Sequence, residues 1–63
     1  MYKEAGKVYA EWDMYEPAAL CYNKAKMFRE AGEYYEKAKK YTDAVVAYKS
    51  GGRYEEVIDL MQR

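Results

Sequence analysis

The groups that could do chemistry are carboxylates, amines, one thiol, one serine hydroxyl and nine tyrosines; the 63-residue chain has no histidine. Acid–base catalysis needs a carboxylate or imidazole held in a shaped, partly buried pocket. Here eleven acidic residues are balanced by eleven basic ones and stand beside them, as in Lys3-Glu4, Arg29-Glu30 and Glu36-Lys37. The spacing of Glu33–Lys37 and Glu36–Lys40 predicts i,i+4 pairs on a solvated helix surface rather than a site. Ser50 has no histidine to activate it. Gly51-Gly52 lacks the following Lys-Ser/Thr of a phosphate cradle, so it predicts a helix stop. Cys21 is alone, which excludes an internal disulfide and, without histidine, argues against zinc. It shares its place in the chain's period with Val8, Tyr34 and Ala47, which predicts a small buried hydrophobe. No catalytic, cofactor or metal site is expected, and the chain is not expected to be an enzyme.

The tyrosines carry the pattern. Tyr9, Tyr22, Tyr35 and Tyr48 recur every thirteen residues. A second aromatic follows each by six (Tyr15, Phe28, Tyr41, Tyr54), and an alanine precedes each by four (Ala5, Ala18, Ala31, Ala44). Three after each come Trp12, Ala25, Ala38 and Gly51. A fixed period in a short chain signals a repeat architecture.

Breakers divide the pattern into separate helices. Pro17 lacks the amide a helix interior needs and suits a first turn. Together with Gly51-Gly52 it predicts five short helices, about 2–12, 16–26, 29–39, 42–50 and 54–62. Turns are expected at Asp13-Met14-Tyr15, Met27-Phe28, Lys40-Tyr41 and Gly51-Gly52-Arg53. Thr42 is the expected N-cap of the fourth helix, with Asp43 in its first turn. Gly6 and Gly32 alternate with Ala19 and Val45, which doubles the period to 26. A helical glycine costs about 1 kcal/mol against alanine, so a neighbour is expected to approach closely at both.

Gly6-x2-Tyr9 followed by Ala18-x3-Tyr22, then Gly32-x2-Tyr35 followed by Ala44-x3-Tyr48, resembles the helical hairpin of tetratricopeptide (TPR) repeats. The units are shorter than that family's. In this they are similar to the helical tails of trafficking and intraflagellar-transport proteins and to SNAP-like adaptors. The resemblance implies an all-α, right-handed α-solenoid of stacked short hairpins. It spans 1–63 as one domain: repeat 1 over 1–26, repeat 2 over 27–52 and a half repeat over 53–63. It also implies a protein-binding scaffold whose first-type helices line a groove. Lys3, Lys7, Ala10 and Glu11 would face that groove from one helix, and Arg29, Glu33, Glu36 and Lys37 from another.

By periodicity Tyr9, Tyr22, Tyr35 and Tyr48 are expected in the core. Tyr34 cannot share their face and is expected exposed, at an interface. Trp12 is expected to cap the open N-terminal end of the stack or to join a partner there, as a residue of self-association. Val57, Ile58, Leu60 and Met61 form an apolar stripe expected to dock on another copy or on more of a longer solenoid. A peptide or partner helix is therefore the expected partner, with end-to-end self-association as the alternative. Zero net charge argues against nucleic acid, whose binders carry a basic excess. The longest apolar run, Ala44–Tyr48, is too short to enter a bilayer as a span. The N-terminus lacks an apolar signal segment, so an intracellular, cytoplasmic protein is expected.

Overall fold

Ten-residue helices joined by three-residue turns generate the thirteen-residue period. The computed structural model describes residues 1–62. In it α1 is Tyr2–Glu11, α2 Tyr15–Lys24, α3 Phe28–Lys37, α4 Tyr41–Ser50 and α5 Tyr54–Gln62. The chain is all-α, with no strand among the described residues. Helices of about 15 Å are too short to persist alone. Each packs on the next in chain order, α1 on α2, α2 on α3, α3 on α4 and α4 on α5. The result measures 31 × 19 × 12 Å.

All the turns for which a full set of bonds is seen close in the same way. The Met14 amide donates to the Tyr9 carbonyl (2.9 Å) and the Asp13 amide to Ala10 (3.1 Å). The same two bonds recur as Met27 to Tyr22 with Lys26 to Asn23, Lys40 to Tyr35 with Lys39 to Glu36, and Arg53 to Tyr48 with Gly52 to Lys49. This is the Schellman closure, which satisfies two carbonyls at a helix end and needs one left-handed residue. Asp13, Lys26, Lys39 and Gly52 supply it, with φ of 58°, 63°, 62° and 72°. Three of these are not glycine, at roughly 1–2 kcal/mol of steric cost each.

The closing residue of one helix also starts the next. Met14, Met27 and Lys40 are the N-caps of α2, α3 and α4, none with a side-chain cap bond. This corrects two expectations. Tyr15, Phe28 and Tyr41 open helices instead of sitting in turns. Thr42 lies inside the first turn of α4 and is not its N-cap, because the closure at Lys39 hands the helix start directly to Lys40. Asp43 is in the first turn as expected.

The core is a single cluster of small residues and rings: Ala19, Tyr22, Ala31, Tyr35, Ala44, Ala47, Tyr48 and Val57. Met27, Tyr34, Val45 and Leu60 pack against it. Among the described residues Tyr48 is the one large side chain that is fully buried. Cys21 is half-buried and free, rather than fully enclosed.

Candidate interaction surfaces

From α1 to α4, adjacent helices are joined by a reciprocal fit of large into small. The ring of Tyr48 on α4 lies over Gly32 of α3 so closely that a methyl there would meet ring carbons at 2.5–2.7 Å. Sixteen residues separate this pair, and the same step joins Tyr22 to Gly6, where a methyl would lie 3.3 Å from the ring. It also links Tyr35 to Ala19, both in the core cluster. In return, the first residue of α1, α2 and α3 reaches the end of the next helix. Phe28 covers Gly51, where a methyl would meet its Cβ at 2.6 Å. By the same step Tyr15 reaches the end of α3, with the Lys37 ammonium 5.7 Å from its ring, and Tyr2 reaches the end of α2, with Lys24 at 5.4 Å. Gly32 and Gly51 are therefore glycine because a neighbouring ring occupies the space of a side chain.

A second aromatic assembly lies across α2 and α3. Tyr34 stacks on Tyr22 (centroids 5.5 Å apart, planes at 12°) and on Tyr15 (6.0 Å, 21°). Lys37 sits 5.0 Å above the Tyr34 ring, a cation–π contact. The expectation of an exposed Tyr34 is thus corrected: it is half-buried, because Tyr15 and Tyr22 are two turns apart on one face of α2 and accept a ring between them. Glu33, Tyr34, Glu36 and Lys37 line one shallow depression of about 300 Å³. Its polar groups are partly engaged already. Glu36 accepts a 2.5 Å hydrogen bond from the Tyr48 hydroxyl, and Glu33 pairs with Arg29 at 4.0 Å on the exposed surface. Burial first, and the Glu36 carboxylate second, push the Tyr48 phenol well above its ordinary range. Burial also raises Tyr22 and Tyr35. The exposed Tyr15 phenol is raised by donating to the Asp13 carboxylate (3.1 Å).

The two ends of the stack differ from its middle. Tyr9, expected in the core with Tyr22, Tyr35 and Tyr48, is 37% exposed, whereas they are 8%, 8% and 1% exposed. Among the described helices none takes the corresponding place against Tyr9. Trp12, beside it at the end of α1, is 73% exposed. At the other end the predicted stripe is divided: Val57 is buried and Leu60 packs on the core, while Ile58 and Met61 are 54% and 75% exposed.

Of the residues singled out from sequence, α3 brings Glu33, Tyr34, Glu36 and Lys37 together, with Arg29 at its opening turn. Lys3, Lys7 and Glu11 are exposed on α1, and Ala10 is half-buried. Lys40 reaches Glu16 of α2 at 3.8 Å, a pair across helices that i,i+4 counting does not find. Sequence reasoning also missed the aromatic at each helix start as a contact residue. Its signal was the run of small residues at Ala25, Ala38 and Gly51, against which Trp12 stands out. Among the described residues no group of three or more acidic or thiol side chains could hold a metal. No helix among them is long and apolar enough to cross a membrane. Searches of protein-family models, curated proteins and solved structures find no match to the chain.

Proposed function

We propose that the chain is a TPR-like interaction module, a short stretch of α-solenoid that binds a helix or peptide of a partner protein. The observation that carries this is Tyr9: three tyrosines of the same phase are seated on a neighbouring helix, and the fourth is open beside an exposed tryptophan. Repeats bury their faces only against neighbours, and clustered exposed aromatics are typical of binding surfaces. In the α3 depression Tyr34 and Glu36 are already held by contacts within the chain, which leaves Glu33 and Lys37 to meet a ligand there. The test is selection of a displayed library of helical and extended peptides against the folded chain, with binders mapped by amide chemical shifts. Binders that perturb α1 or the α3 depression support the proposal. A library that yields none, or binders that map elsewhere, overturns it.

Ile58 and Met61 favour a second function, self-association through α5. It predicts sedimentation coefficients that rise with concentration and fall back in the Ile58→Asp, Met61→Asp variant with unchanged helicity. A concentration-independent monomer removes it.

A further inference from the structure

The seams between helices carry a rule about what can extend the stack. At the first three seams each helix presents two residues, four apart, toward the next: Tyr2 and Gly6, Tyr15 and Ala19, Phe28 and Gly32. By register the same places on α4 and α5 fall to Tyr41 and Val45 and to Tyr54 and Ile58. Each following helix answers with two residues three apart: Tyr22 and Ala25, Tyr35 and Ala38, Tyr48 and Gly51. Large meets small both ways, with Tyr48 over Gly32 and Phe28 over Gly51 leaving no room for a methyl on either glycine. On α1 the answering residues are Tyr9 and Trp12, both large and both exposed.

Resting on the interaction-module proposal, we infer that the outer face of α1 is a docking site for a helix carrying small residues at both contact positions. Its occupant has glycine or alanine where Gly6, Ala19 and Gly32 stand in the chain. Where Tyr2, Tyr15 and Phe28 stand it has glycine, alanine or serine, because Trp12 already fills the space those rings use. The face continues the seams by which α1 to α4 are joined, which is why its occupant is a helix and why its register is defined. A second copy does not qualify. Continued in register, its α5 would set Ile58 under Tyr9 and Tyr54 over Trp12, large against large at both positions, in a seam of the kind that is close-packed between α3 and α4. The α1 face thus rejects the chain's own α5 and selects a small-residue helix, a case of specificity by steric exclusion.

The test extends the full chain at its N-terminus by one further helix and turn of the same length. Two extensions carry glycine under Tyr9 and differ at one residue, alanine or tyrosine over Trp12. Each is joined to the native chain and to the Trp12→Ala variant, whose own circular dichroism reports that it still folds. Docking is read as slowed amide hydrogen exchange along α1, by about tenfold or more, and in the chains that keep Trp12 also as a blue shift of its emission. The alanine helix is expected to dock on the native chain and the tyrosine helix only on Trp12→Ala. Equal docking of both helices on the native chain overturns the size selection and leaves the interaction module standing. If neither helix docks on either chain, the α1 face is not a helix site, and the inference falls together with its support from Tyr9.

Discussion

The α1–α2 and α3–α4 seams use the same residue types in the same register, yet they are not equally tight. A tyrosine of the second helix covers a glycine of the first in both. At Gly32 the Tyr48 ring would meet an added methyl at 2.5–2.7 Å, whereas at Gly6 the Tyr22 ring stands at 3.3 Å. Tyr48 is 1% exposed and donates to Glu36; Tyr22 is 8% exposed, and the residue corresponding to Glu36 on α1 is Ala10. The difference teaches that a repeated glycine need not be a repeated requirement. Inner helices are clamped from both sides, and α1 is held from one.

Four experiments would break or sharpen that contrast, beginning with the largest effect. Tyr48→Ala should cost about 3–5 kcal/mol, as for other buried aromatics. Stability for a chain this size is roughly 0.05–0.15 kcal/mol per residue, so the variant is expected to be largely unfolded by circular dichroism. Tyr22→Ala should be measurably milder. A loss at Tyr22 equal to that at Tyr48 would remove the distinction between the seams.

Gly32→Ala should destabilise by about 1–3 kcal/mol in urea melts, because overpacking against a fully buried ring exceeds the gain in helix propensity. Gly6→Ala should change stability by less than about 1 kcal/mol, since a methyl there would meet the Ala18 carbonyl and the Tyr22 ring at a tight 3.3 Å rather than overlap them, and alanine favours the helix. Equal losses at the two sites would mean that the glycines are equivalent.

Removing only the hydroxyl, Tyr48→Phe, should cost about 1.5–3 kcal/mol, the range for a hydrogen bond to a charged group. The same group sets an alkaline limit. A phenol raised by folding is favoured in its neutral form, so its contribution is complete below the unfolded value near 10 and is lost as pH rises above it. Base titration followed by circular dichroism should therefore show stability falling above about pH 10. The fall should be shallower in Tyr48→Phe; an identical slope would place the alkaline sensitivity elsewhere.

The smallest effect belongs to the turns. Lys39→Gly should stabilise by about 1 kcal/mol, relieving a left-handed lysine at φ 62°. Gly52→Ala should lose a similar amount at φ 72°. A neutral Lys39→Gly would show that the closure is not strained.

Some of this was legible before any coordinates. The thirteen-residue recurrence of tyrosine, alanine and a second aromatic, broken at Pro17 and Gly51-Gly52, gave five short helices and an all-α fold, because periodicity and breakers are local properties. The helix stop at Gly52 was legible for the same reason. Its three counterparts were not, since nothing in Asp13, Lys26 or Lys39 announces a positive φ. Assigning Thr42 as an N-cap failed because intrinsic capping preference was weighed without the Schellman closure one turn earlier. Tyr34 was misplaced because a single-helix view counts faces, whereas its ring lies between two rings of a different helix.

The amino-acid order alone therefore determined the helices, their number and their phase, and marked Trp12 as the odd member of a small-residue series. Only the tertiary structure decided which tyrosines are covered, which glycines are obligatory and where Glu36 spends its carboxylate. Those outcomes depend on distances of a few tenths of an ångström between side chains sixteen or twenty-three residues apart, and close packing makes distances of that size decisive.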